Sequence, residues 1–230
     1  MEATDVRGLL GLLIADGSLV PYRTPSGGYV QLTLTAGLSE NAFLEEKVEE
    51  FKQFIFTRAK IVPYKTKPRS SGKSTQILRF RVSTNKLRPV YNLLYPIGEK
   101  QLTQTTLDLL GAQAAAWLWA EGARQMKDGS VLLGRIGSTF EEAQLISCWL
   151  TMLTGAEGKI DEDYIRPRIF FNAEQAQKIK EVLNKYAPKS RIHLFNKESW
   201  DVSSIRSSRT ELQLGKGINQ SEGEKEKAMA

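Results

Sequence analysis

Apolar and polar positions follow two alternating periods along this chain, and the same succession of periods occurs twice. Residues 6–15 are apolar on almost every side, which predicts a buried helix, ending at Ala15-Asp16-Gly17. Residues 18–22 predict a strand, and Pro25-Ser26-Gly27-Gly28 a turn. Over 29–35 the period is two: Val30, Leu32 and Leu34 alternate with Gln31, Thr33 and Thr35, as in a strand with one buried face. The period lengthens over 38–57, where Leu44, Val48, Phe51 and Ile55 share one stripe of a helix. Two extended pieces follow, 60–67 and 75–83, with a loop at 68–73 between them. Residues 87–94 predict a closing helix before Pro96.

The second succession begins near Leu107. An apolar helix runs through Ala114, Ala115, Ala116, Trp117, Leu118, Trp119 and Ala120 to Glu121-Gly122. A hairpin is expected to turn at Asp128-Gly129, a two-residue turn signal. An amphipathic helix is predicted over 141–154, stopped by Gly155, then strands at 159–160 and 165–171 and a last helix at 173–186. The chain thus reads as α+β: two pseudo-symmetric α-β-β-α-β-β-α half-domains, 1–100 and 101–198, each with an antiparallel sheet. Residues 199–230 are rich in Ser, Gly, Glu and Lys and poor in large apolar groups, which predicts a disordered tail.

Composition narrows the chemistry. The 230 residues are 41% hydrophobic and 25% charged, ordinary values for a globular protein. A net charge of +6 favours a polyanionic partner. One cysteine, Cys148, and one histidine, His193, exclude an internal disulfide and a Cys/His zinc site. Cys148 lies in the apolar run Leu145-Ile146-Ser147-Cys148-Trp149-Leu150 and is expected to be a buried core thiol. No Gly-x-Ser-x-Gly elbow accompanies His193, which speaks against a serine triad. No apolar run is long enough to span a membrane. The acidic start Met1-Glu2-Ala3-Thr4-Asp5 lacks the basic opening of a signal or transit peptide. The expected setting is a bacterial cytoplasm or an organelle with its own genome.

The candidate chemistry lies where the two apolar helices end. Gly11, Ala15, Ala112, Ala116 and Ala120 are small residues at helical spacing, which lets two helices approach closely. Close approach would bring Asp16 and Glu121 together. Two adjoining carboxylates need a compensating cation, and Mg²⁺ or Mn²⁺, which take oxygen ligands, suit that role.

The segment Leu9-Leu10-Gly11-Leu12-Leu13-Ile14-Ala15-Asp16-Gly17 resembles the LAGLIDADG motif of homing endonucleases. Trp117-Leu118-Trp119-Ala120-Glu121-Gly122 is similar to the degenerate second motif of the single-chain members. Gly137-Ser138-Thr139-Phe140-Glu141-Glu142-Ala143-Gln144-Leu145-Ile146 resembles the opening of the second half's long helix. The resemblance covers roughly residues 6–197. It implies a monomer with the two motif helices at its centre, a sheet in each half facing double-stranded DNA, and metal-dependent double-strand cleavage. It implies Asp16 and Glu121 as metal ligands, joined by the carbonyls of Ala15 and Ala120. It places a basic residue near the site, Lys100 in the first half and Lys197 in the second. A rival within the same resemblance is a maturase that binds host intron RNA.

The strand faces supply contact candidates. Gln31, Thr33 and Thr35 form the polar side of one strand, and Arg79 and Arg81 that of 75–83, opposite Leu78, Phe80 and Val82. In 165–171, Arg166 and Arg168 are expected outside, with Ile165, Ile169 and Phe171 inside. Arg124 opens the hairpin after the second motif. Arg and Gln on a sheet surface can bind phosphate or read base edges.

Overall fold

The computed structural model describes residues 2–25, 27–66, 74–137, 139–161 and 166–196. The loop expected at 68–73, Ile165, Lys197 and the tail 199–230 lie wholly outside these residues. The chain through Asn196 forms one compact unit.

Helix α1 (Ala3–Leu13) leads into a hairpin of β1 (Ser18–Thr24) and β2 (Gly27–Ala36), then helix α2 (Asn41–Phe54), strands β3 (Val62–Lys65) and β4 (Gln76–Thr84), and helix α3 (Arg88–Leu94). The second repeat has a short helix α4 (Gln104–Asp108), then α5 (Ala112–Gly122), β5 (Ala123–Gln125), β6 (Val131–Leu133), α6 (Phe140–Thr154), β7 (Lys159–Asp161), β8 (Arg168–Phe171) and α7 (Ala173–Leu183). The strands form two four-stranded antiparallel sheets of the same order, β1-β2-β4-β3 and β5-β6-β8-β7.

The expected alternation holds in β2 and β4 and over Arg168–Phe171. Val30, Leu32, Leu34 and Phe80 are buried and Gln31, Thr33 and Arg81 are not. Ile169 and Phe171 face the core. One apolar cluster runs through both repeats, from Leu9 and Leu10 on α1 to Ala115, Leu118 and Trp119 on α5. Phe51 of α2 packs edge-on against Phe80 at 5.7 Å, and Trp119 against Phe171 at 5.9 Å, so each sheet is sealed to its own helices by an aromatic pair. Glu46 of α2 joins the repeats through the last turns of the unit. It accepts hydrogen bonds from Lys189 N (2.7 Å), Ser190 N (2.9 Å) and Ser190 Oγ (2.6 Å).

Several expectations are corrected. Helix α1 ends at Leu13, capped by Ile14, whose N–H still donates to Leu10 O at 3.0 Å, and Ala15 and Asp16 lie beyond it. Gly27 and Gly28 belong to β2, so the first turn is tighter than the four-residue cluster suggested. The second hairpin is wider: its strands end at Gln125 and Val131, and Asp128 closes the intervening loop by accepting from the Ser130 backbone and hydroxyl. The extra helix α4 is started by Thr103, whose hydroxyl accepts from Thr106 N. Cys148 is exposed, not buried. Ile146, Ser147, Trp149 and Leu150 fill the inner stripe of α6, and at 100° per residue position 148 falls on the opposite side. Arg166 precedes β8 rather than lying in it. Gly155 ends α6 as expected, in the left-handed conformation.

Candidate active site

Helices α1 and α5 are apolar on nearly all sides, so each must be buried, and each buries the other. Their contact is close because of small residues: a Cβ added to Gly11 would stand 3.1 Å from the Cβ of Ala114. Both motif glycines have a local cause. Gly17 has φ +84°, the turn that sends the chain from α1 into β1. Gly122 lies against the backbone that follows β6, where a Cβ would come within 2.2 Å of the Gly134 carbonyl oxygen. These constraints hold Asp16, just beyond α1, beside Glu121, in the last turn of α5.

The two carboxylates meet on one buried ammonium, Lys47 of α2. Its Nζ donates to Asp16 Oδ2 at 3.3 Å and to Glu121 Oε1. The side chain is 2% exposed, and its cation also stands 5.4 Å from the centre of the Phe43 ring. A second cation approaches from outside. Arg135 Nη1 donates to Glu121 Oε2 at 2.8 Å and lies 4.0 Å from Asp16 Oδ1. Its side chain is 55% exposed, against 22% for Asp16 and 8% for Glu121. Arg135 has φ +58°, alone among the described non-glycine residues in being positive. The buried Ile136 beside it anchors the loop. Two carboxylates are thus balanced by two cations, Lys47 on their inner oxygens and Arg135 on their outer ones. Protein side chains thus supply positive charge at the acid pair.

A cavity of about 330 Å³ opens at this point, lined by Ala15, Asp16, Thr35, Lys100, Arg135, Glu142 and Arg166 among others. Lys100 is placed there, as expected, but its hydrogen bonds go to backbone: Nζ donates to Leu13 O at 2.7 Å and to Gly17 O at 3.4 Å. It thereby ties the end of α1 to the turn that carries Asp16. Burial lowers its pKa from 10.5 to about 8, opposed by the nearby Asp16 and Glu121 carboxylates and assisted by the positive charge of Lys47. Glu142, buried in the wall, accepts from Leu102 N at 2.8 Å and closes a capping box with Thr139.

The remaining expected residues spread over the outer faces of the sheets. Thr33 is paired with Arg81, whose Nε donates to its hydroxyl at 3.3 Å, and Gln31 Nε2 donates to Ser83 Oγ at 3.0 Å. Thr35 is paired with Arg79, whose guanidinium stacks 3.7 Å from the centre of the Tyr64 ring. On the second sheet Arg124 is exposed opposite Leu132, and Arg168 pairs with Asp161 across β7 and β8. Ala120 lies in the last turn of α5, where helical carbonyls lack partners within the helix.

Lys47 and Arg135 were not anticipated. The signal for Lys47 was available: it shares the stripe of Leu44, Val48 and Phe51, a lysine on the buried face of a helix. Arg135 had only its flanking glycines, Gly134 and Gly137, to mark it. Among the described residues no group of three or more His, Cys, Asp or Glu is arranged to hold a metal. The donors that are present, two carboxylates close enough to share one ammonium, are of the hard oxygen kind that Mg²⁺ and Mn²⁺ take. Among the described residues no helix is long and apolar enough to cross a membrane.

The model of the LAGLIDADG DNA endonuclease family matches residues 7–179. No curated protein matches the chain by sequence. Among solved structures, the homing endonuclease I-WcaI bound to its DNA recognition sequence is similar with a TM-score of 0.67, at 12% identity, over 85% of this chain and 87% of that one. A glycine-to-serine variant of I-DmoI, in complex with its target DNA in the presence of 2 mM Mg, is similar with a TM-score of 0.53, at 15% identity, over 79% of this chain and 96% of that one. I-DmoI in complex with DNA and Ca gives 0.51 at 15% identity, over 79% and 90%. At these identities the likeness is one of fold.

Proposed function

Because the chain belongs to the LAGLIDADG DNA endonuclease family, we propose that it binds double-stranded DNA across the outer faces of its two sheets and hydrolyses a phosphodiester bond in each strand at a specific site. The observation that carries this reading is the meeting of Asp16 and Glu121 at the ends of the two packed motif helices, at the edge of an open cavity. One chain supplies both acids, so a monomer suffices.

Asp16 and Glu121, with the carbonyls of Ala15 and Ala120, are the residues that would hold Mg²⁺ or Mn²⁺. The I-DmoI complexes with DNA and Mg or Ca support a divalent ion in this role. Such an ion, when bound, lowers the pKa of a water nucleophile and stabilises the departing oxygen. The chain's own groups do the rest. Lys100 fixes the turn bearing Asp16 through its bonds to Leu13 and Gly17. Arg135 and Arg166, at the cavity, draw in the phosphate backbone. Gln31, Thr33, Thr35, Arg79 and Arg81 on one sheet, and Arg124 and Arg168 on the other, meet the groove and flanking phosphates.

The test uses a DNA target selected from a random library, incubated with wild type, Asp16→Asn and Glu121→Gln, with Mg²⁺ or with EDTA. Wild type should cut only with the metal. Each variant should lose cutting by about a hundredfold or more while retaining DNA affinity. If wild type bound DNA but never cut it, and all three chains restored splicing of a host intron equally, the function would be RNA binding on the same scaffold.

A further inference from the structure

The two cations at the acid pair differ in kind. Lys47 has a side chain 2% exposed, at a buried position of α2 between Leu44 and Phe51. Withdrawing its ammonium would strand a charge among apolar groups and leave two adjacent carboxylates facing each other, each a large cost. Arg135 has a side chain 55% exposed on a loop at the cavity mouth, and a guanidinium there can exchange its carboxylates for water or phosphate at little cost. Lys47 holds one oxygen of each acid, Asp16 Oδ2 and Glu121 Oε1; Arg135 faces the other, Asp16 Oδ1 and Glu121 Oε2. The second repeat has no counterpart to Lys47, since α6 carries no lysine.

We infer that Lys47 is a resident cation standing where an ion shared between the two acids would otherwise lie, and that Arg135 is a displaceable one. The outer oxygens, Asp16 Oδ1 and Glu121 Oε2, are then the ones that would hold a divalent metal, once Arg135 leaves them for the phosphate backbone. This rests on the nuclease reading and adds to it a lock: the free protein is already charge-balanced at its acids, so it takes up metal weakly, and phosphate that draws Arg135 away favours loading.

The test is Mn²⁺ binding to the full DNA-free chain, followed by the paramagnetic resonance signal of the unbound ion and by the shift in thermal midpoint. Wild type should bind Mn²⁺ weakly. Arg135→Ala, a change at an exposed side chain, should tighten binding about three- to tenfold by removing a competitor of surface ion-pair strength. Lys47→Gln should tighten it further, or, if the chain unfolds without its buried cation, should regain a cooperative thermal transition on adding Mn²⁺. Asp16→Asn with Glu121→Gln should abolish the tighter binding of either. Unchanged or weaker binding in Arg135→Ala would overturn the exchange. Lys47→Gln binding no more tightly than wild type would overturn the resident-cation assignment. No DNA is present, so a chain that shows the exchange yet never cuts refutes the activity alone, and one that cuts without showing it refutes this inference alone.

Discussion

Replacing Lys47 by methionine removes the one buried charge that touches both acids and keeps the length and apolar character of its stem. Glu121, with a side chain 8% exposed, would keep its ion pair with the exposed Arg135 at 2.8 Å, and Asp16 would have Arg135 at 4.0 Å. Breaking a buried ionic group by removing one partner costs about 3–5 kcal/mol. For a unit of this size each kcal/mol moves the midpoint by roughly 2–4 °C, so a drop of roughly 6–20 °C is expected. The experiment is a cycle of four chains unfolded by urea and by heat: wild type, Lys47→Met, Asp16→Asn with Glu121→Gln, and all three changes together. Removing both acids strands the lysine, so that chain should also be destabilised. The triple variant has neither charge uncompensated and should recover most of the loss, to within about 1–2 kcal/mol of wild type. Additive losses, with the triple variant the least stable, would show that Lys47 does not serve as the counter-ion of these acids.

Three further outcomes follow from the same geometry. Gly122→Ala should destabilise the chain strongly, because the added Cβ would lie 2.2 Å from the Gly134 carbonyl oxygen; Gly111→Ala, where the added Cβ meets open space, should be near neutral, and equal midpoints would refute the close packing of the end of α5 on Gly134. Arg79→Ala and Arg168→Ala should each weaken DNA binding by about 1–3 kcal/mol, or flatten its dependence on log salt by about one unit, in chains that still unfold cooperatively; unaltered affinity in both would place the DNA on other surfaces. Lys100 is held near a pKa of about 8 by burial, below its ordinary 10.5, so the folded chain releases this proton before the unfolded chain does. Its charged form therefore penalises folding below about pH 8, and wild type should gain stability relative to Lys100→Met as pH rises from about 8 to 10.5; parallel stability curves would contradict it.

The repeat, the central helices and the sheet faces were legible because each rests on a period that burial enforces. Val30, Leu32 and Leu34 can lie on one side of β2 only if Gln31 and Thr33 lie on the other. The pairing of Asp16 with Glu121 was legible through the small residues, since two apolar helices that must bury each other have few alternatives. The counter-ions were not. Lys47 is one polar position in an otherwise apolar stripe, and such a lysine more often curls its ammonium out to water than buries it. Only the arrival of two carboxylates from distant segments gives it a reason to stay. Arg135 depends on a backbone conformation with φ +58°, which nothing in its own residue type announces. Cys148 failed for a simpler reason: an apolar neighbourhood in sequence is not an apolar side of a helix, and Trp149 and Leu150 took the inner positions.

The scaffold is symmetric and its charge is not. The same strand order appears in both sheets, and the same kind of helix ends at both acids. Yet Asp16 stands in a bend beyond α1, secured through Gly17 and Lys100, whereas Glu121 is still within α5 and is secured by the contact of Gly122 with Gly134. The inner cation comes from the first repeat alone, and the outer one from the second. Each acid is therefore neutralised partly by the opposite repeat: Lys47 reaches across to Glu121, and Arg135 reaches back toward Asp16. Separating the repeats would strand charge on both sides, so the ion pairs that tune the site also resist its opening. The differing surroundings of Asp16 and Glu121 thus make the two halves of one site unequal.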